Sequence, residues 1–146
     1  MQIKIEIDQN CAEPKVIILT DKMTEEVNEI VRKLSEEKPE IIAGFREDTL
    51  EILERSDIIR IYSETGKVIA VTDRGEYSLR LRLYELEEML AKDSFVRISN
   101  SEIVNLRKVK GFDLSLAGTI CVSFTDGKTT YVSRRYVAKI KKVLGV

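Results

Sequence analysis

Between residues 41 and 83 the chain has no long apolar run, only short ones. They are IIAGF, LEIL, IIRIY, KVIAV and EYSLRLRL, parted by the turn-forming REDT, ERSD, SETG and TDRG. Runs this short, spaced about ten residues apart with turn residues between, fit the strands of antiparallel sheets. Further on, VKGFDLS, GTICVSF and TTYVS continue the series, and Asp126-Gly127 predicts a two-residue hairpin between the last two. Two more strands are expected near the start: IKIEI (residues 3–7) alternates apolar and polar residues, and VIIL (residues 16–19) follows Pro14.

Three stretches depart from this pattern. Met23, Val27, Ile30, Val31 and Leu34 predict an amphipathic helix, capped by Asp21 or Thr24 and ended by Pro39. Leu83, Leu86, Met89 and Leu90 predict a helix of about two turns. SRRYVAKIKKVLG predicts a third, with Ser133 as N-cap, Val137, Ile140 and Leu144 as buried stripe and Gly145 just past its end. Arg134 and Arg135 stand in its first turn, where they oppose the helix dipole, and local rules are most often broken at functional positions.

Composition excludes much chemistry. The chain has no histidine, so it has no Ser-His-Asp or Cys-His pair and no histidine-bearing zinc site. Cys11 and Cys121 share no metal-ligand spacing and read as reduced, small apolar residues. There is no Gly-rich phosphate loop, no enzyme is indicated and no cofactor is expected. No apolar run approaches the ~20 residues that span a bilayer. The start, MQIKIEIDQN, lacks the layout of a signal peptide, so a cytoplasmic location is expected.

The net charge of −1 hides an asymmetry. Residues 1–66 hold 9 Lys/Arg against 16 Asp/Glu, a net of −7, whereas residues 67–146 hold 15 against 9, a net of +6. A basic C-terminal part favours a polyanionic partner, because the local field matters more than the total.

Within that basic part, FVRISNSEIVNL (residues 95–106) reads as strand, corner, strand. Phe95, Ile103 and Val104 anchor it, and Ser99-Asn100-Ser101 project as a polar finger, with Asn100 suited to the positive φ of a tight corner. Leu79, Leu81 and Leu83 alternate with Arg80 and Arg82, which puts two guanidinium groups on one face of an expected strand.

These pieces together resemble the LytTR-type DNA-binding domain of LytR/AlgR-type bacterial transcription regulators. The matching segments are SDIIRIYSETGKVIAVTDRG, LYELEEML, FVRISNSEIVNLRKVKGF and TTYVSRRYVAKIKKVL. The family pattern Phe-x-Arg-x-x-x-Ser-x-x-Val-Asn is met by Phe95, Arg97, Ser101, Val104 and Asn105. The resemblance implies a mainly β fold (α+β overall) of elongated antiparallel sheets with short helices, over residues 45–146. A strand–strand–helix extension over residues 1–44 precedes it, as a dimerisation or regulatory part.

The resemblance also implies a sequence-specific, double-stranded-DNA-binding transcription regulator that contacts DNA through loops, as a homodimer on repeated half-sites. Carried onto this chain, Asn100 and Ser101 approach the DNA, and Ser133, Arg134 and Arg135 enter a major groove. Lys67, in the loop with Thr65 and Gly66, holds a phosphate, and Arg80 and Arg82 contact the backbone. Some members place a histidine in that loop and this chain does not. Arg97 reads either way, as a DNA-contacting residue or as one of the fold, and Asn105 reads more as a residue of the fold, through corner hydrogen bonds or a buried ion pair. No receiver domain fits ahead of residue 45, and a small membrane protein that restrains the regulator is a further expected partner. The competing reading is a protein-interaction module of a membrane-linked regulatory system, without specific DNA binding.

Overall fold

The computed structural model describes residues 1–35 and 41–146. The chain falls into two compact units, Met1–Glu37 and Lys38–Val146.

In the first unit a helix, α1 (Glu25–Ser35), forms where the apolar spacing places it. Of the two candidate caps, Thr24 serves: its hydroxyl oxygen accepts from the backbone N–H of Val27 at 3.2 Å. Glu25 and Glu26 lie in the first turn and Arg32 and Lys33 in the last, both favourable to the dipole. Pro39, the expected terminator, lies outside the described residues. The two expected strands are not formed, since residues 3–7 and 16–19 belong to neither helix nor strand. Alternation decides which side chains share a face. It does not supply the neighbouring strand that a hydrogen-bonded ladder requires.

The second unit is built as the short runs predict. Its strands are β1 (Ile42–Arg46), β2 (Thr49–Leu53), β3 (Ile58–Glu64), β4 (Lys67–Thr72), β5 (Gly75–Leu79), β6 (Phe95–Ser99), β7 (Glu102–Asn105), β8 (Val109–Asp113), β9 (Ile120–Phe124) and β10 (Thr129–Val132). Helix α2 (Leu83–Met89) joins β5 to β6, and α3 (Arg134–Leu144) follows β10. Seven strands make one antiparallel sheet in the order β2-β1-β5-β4-β3-β7-β6, and β10-β9-β8 make a second. Residues 42–44 pair in register with β2, so this first run belongs to the sheet and not to the extension.

Two cores lie on opposite faces of the larger sheet. Adjacent residues of one strand point to opposite faces, and Ile103 and Val104 divide accordingly. Ile103 joins Ile61, Ala70 and Tyr77 under Leu83, Leu86 and Leu90 of the α2 segment. Val104 joins Ile59, Val96 and Ile98 beneath Ile120, Val122, Phe124, Val132 and Ile140 of the smaller sheet and α3. The sheet is therefore sealed on both sides where β3, β6 and β7 meet.

Two local expectations are corrected. The hairpin between β9 and β10 has a three-residue loop: Gly127 N–H donates to Phe124 O at 3.0 Å and Phe124 N–H to Lys128 O at 2.9 Å. Gly127 takes the left-handed φ of 86° that closes such a loop, while Asp126 does not take a positive φ. The expected strand through Arg80 and Arg82 stops at Leu79. Arg82 is the residue preceding α2, in extended conformation, so the two arginines do not share a strand face.

Candidate nucleic-acid interface

The corner between β6 and β7 is held by one side chain. Arg97 donates from Nε to Ser99 O at 2.8 Å and from a terminal nitrogen to Asn100 O at 2.6 Å. Its other terminal nitrogen meets Glu87 Oε2, on α2, at 2.7 Å. A planar guanidinium presents donors in a fixed fork, which suits it to gripping two successive carbonyls. Ser101 N–H adds a bond to Ser99 Oγ at 3.2 Å. With the corner clamped in this way Asn100 has no need of the left-handed conformation. Among described non-glycine residues only Glu47 and Thr65 take a positive φ.

Two further segments are tied to this corner. Ser133 N–H, just before α3, donates to Ile98 O at 3.0 Å, and Tyr136 Oη donates to Asn100 Oδ1 at 3.3 Å. On the other side Ser63 N–H donates to Ser101 O at 2.8 Å. The next residue of β3, Glu64, pairs with Lys67 across a two-residue turn. That turn has φ of 49° at Thr65 and 78° at Gly66, the doubly left-handed geometry of a primed hairpin turn. A β-branched residue rarely takes it, so Thr65 is a strained position at the tip.

The same end of the sheet carries Arg80, since Val68 pairs with Leu79, the last residue of β5. The Arg80 guanidinium lies 4.8 Å from the Phe45 ring centroid, which steadies it without neutralising it. Arg82 follows as the lead-in to α2, its backbone N–H donating to Glu85 Oε1 at 3.4 Å. Thus the β3–β4 tip, the β6–β7 corner, the start of α3 and the arginines after β5 lie toward one end of the larger sheet. Lys67, Arg80, Arg82, Asn100, Ser101, Arg134 and Arg135 are exposed there, and Ser133 is half-buried.

Ser133 occupies the N-cap position of α3 but its hydroxyl makes no capping bond. At its start the backbone N–H groups of Ser133 and Tyr136 donate to Ile98 O and Ser133 O, which leaves those of Arg134 and Arg135, beside their guanidinium groups, to attract phosphate oxygens. Arg134 lies against the loop before β9: a Cβ added at Gly118 would be 3.4 Å from Arg134 Nε. Among the described residues no carboxylate pairs with Lys67, Arg134 or Arg135, whereas Lys139 does pair with Glu87 at 3.6 Å.

The two residues read two ways from sequence belong to the framework. Asn105 is buried; its Nδ2 donates to Ile58 O at 2.8 Å, and its Oδ1 accepts from Ser94 Oγ at 2.9 Å and Arg107 N–H at 3.1 Å. Arg97 is the corner clamp already described. Sequence reading missed Glu102, which is buried at the first position of β7. Its carboxylate accepts from Arg60 at 2.6 Å and from Thr130 Oγ1 at 2.6 Å, tying β3 and β10 to the strand that leaves the corner. Its sequence neighbours give no sign of this, because both partners lie far off in the chain. Glu87 and Tyr136 were missed for the same reason. Beside the corner, burial and the nearby Glu76 carboxylate raise the Tyr62 phenol above its ordinary value, so it stays neutral.

The profile described as the LytTr DNA-binding domain matches residues 48–145, and the chain belongs to that family. The solved LytTr DNA-binding domain from Bacillus cereus superposes with a TM-score of 0.70 at 24% identity, over 73% of this chain and 97% of that one. Two proteins described as uncharacterized HTH-type transcriptional regulators, from Staphylococcus aureus strains NCTC 8325 and COL, are each 33% identical over 147 residues. These matches cover 100% of this chain and 99% of each relative. Here five strands separate α2 from α3, so no helix-turn-helix occurs among the described residues. None of the described helices is long and apolar enough to cross a membrane.

Proposed function

We propose that this chain is a transcription regulator of the cytoplasm that binds double-stranded DNA sequence-specifically through the loops at one end of its larger sheet. The observation that carries this reading is the set of backbone and side-chain bonds joining the three loops: Ser63 to Ser101, Ser133 to Ile98 and Tyr136 to Asn100. Such loops keep a fixed spacing, which base recognition requires. The regulator names of the full-length staphylococcal relatives support the same reading.

In this reading Lys67, Arg80 and Arg82 neutralise phosphates and fix the register. Arg135 reads guanine through O6 and N7, with Arg134 as its reserve at the Gly118 loop. Asn100 reads adenine: its Oδ1 has a second lone pair beyond the Tyr136 bond, and its Nδ2 is available to donate. Ser101 and Ser133 add phosphate or base-edge contacts beside them. The protein acts as a homodimer on repeated half-sites, with the segment ahead of β1 as the dimerisation or regulatory part, and a small membrane protein is a further candidate partner for it.

Replacing Arg135 by Ala should cost about 1–3 kcal/mol of specific affinity and relax one base pair, while Lys67→Ala should weaken all sequences alike and lower the salt slope by about one. Unchanged specific affinity in Arg135→Ala would remove Arg135 as the reader. A rival reading, a pure protein-interaction module, draws on the exposed apolar side chains of the first unit. It requires DNA binding that is weak, indifferent to sequence and lost at physiological salt.

A further inference from the structure

Many apolar side chains of the first unit are exposed, and Val27 and Ile30 of α1 are half-buried. Ile3, Ile5 and Ile7 are 83%, 84% and 94% exposed, and Val16, Ile17, Leu19, Met23, Val31 and Leu34 are exposed with them. Solubility alone would select against so many in so short a segment, and such patches mark association surfaces. The staphylococcal relatives align over this segment too, so it is part of the shared chain and not a stray tail.

We infer that α1 is the seam of a symmetric dimer, packing antiparallel against α1 of a second copy. This deepens the dimeric reading above and rests on it. Two features of α1 select a second copy over an unrelated partner. Its apolar residues Val27, Ile30, Val31 and Leu34 form a single stripe, continued by Met23 just ahead of the helix. An antiparallel pairing sets Val27 of one copy on Ile30 of the other, and Met23 on Leu34, about a two-fold axis near Asn28 and Glu29.

The charges then match themselves. Glu25, Glu26 and Glu29 occupy the first part of the helix and Arg32 and Lys33 the last. Antiparallel packing brings Glu26 beside Lys33 of the second copy, and symmetry repeats the pair. Parallel packing would instead align the acidic start of one helix with the acidic start of the other, and the basic end with the basic end, which forgoes this match. A foreign partner would need the same split of charge on its own helix; a second copy has it by identity.

Helix α1 has 11 residues, which is short for a free-standing pair. Residues 3–7 complete the seam. Their isoleucines share one side, and Lys4 and Glu6 pair at 3.0 Å on the other. Beside the second copy they gain the strand partner that a single chain denies them.

The test is sedimentation equilibrium on the full chain and on Glu26→Lys, Lys33→Glu, the double reversal and Ile30→Asp. The wild type should be a dimer. Each single reversal should raise the dimer dissociation constant about 10-fold, the double reversal should restore it, and Ile30→Asp should leave a monomer. A monomeric wild type, a dimer indifferent to Ile30→Asp, or a double reversal no better than the singles would each overturn the proposal. Anisotropy with promoter duplex, run on the same samples, separates the two readings. Charge-swap rescue without specific DNA binding would sink the regulator alone, and specific binding by a monomeric wild type would sink the seam alone. Retained circular dichroism of the sheet guards against misfolded variants.

Discussion

Isoleucines, valines and leucines between residues 3 and 34 stand mostly in solvent, while those between residues 42 and 140 are largely sealed on the two faces of a sheet. The two regions use the same side chains and both show regular spacing. They differ in partners. Residues 42–140 bring ten strands together in two sheets, so each alternation meets a neighbour to ladder with and a layer to bury against. Residues 1–35 offer one helix and two unpaired strand patterns. Strand alternation is thus a statement about a face, and becomes a ladder only where the fold, or a second molecule, provides a neighbouring strand.

That difference can be broken from either side. The largest effect should come from Leu86→Ala, which empties a fully buried site between α2 and the sheet and should cost about 2–5 kcal/mol in urea unfolding. Ile5→Ala, by contrast, should leave the midpoint of the sheet unit within about 0.5 kcal/mol. A large effect there would mean that the two units share a core.

Next, Asn105→Ala removes the donor to Ile58 O and the acceptor for Ser94 and Arg107 and should cost about 1–3 kcal/mol, without altering which DNA sequence is preferred. An altered preference would make Asn105 more than framework. Arg97→Lys keeps the charge and loses the fork that grips Ser99 O and Asn100 O. It should reduce stability by about 1 kcal/mol yet lower specific DNA affinity further than that, which a purely structural arginine would not do.

The smallest effect concerns Asp113, whose carboxylate accepts from Ser115 Oγ at 2.6 Å and Ser115 N–H at 2.9 Å. These bonds hold its carboxyl below the usual aspartate value. Its contribution is therefore complete above the ordinary aspartate range and is lost as the pH falls through the depressed value. Asp113→Asn should make acid unfolding slightly less steep, and a steeper profile would contradict the assignment.

How much of this was legible in the sequence follows the same logic of partners. The strands of residues 41–132 and all three helices were readable because period and turn chemistry are local. The projection of Asn100 and Ser101 from a corner was readable too, but not how the corner is held: a fork from Arg97, and not a left-handed asparagine, closes it. Thr65 carries the left-handed φ instead, where composition argues against it. Arg80 and Arg82 alternate with leucines as a strand would, and only the start of α2 overrides the pattern. Glu102 looks like any charged strand residue until Arg60 and Thr130 arrive from other parts of the chain. The basic residues were countable beforehand; that three loops bond to one another at one end of a sheet was not.

The most direct test of the account is fluorescence anisotropy at ~150 mM salt, the full chain against duplex from the promoter of its own operon and against scrambled duplex. A preference of ~10³ or more for the promoter duplex is the predicted result. Equal and weak binding to both would contradict the account and leave the first unit as the functional surface.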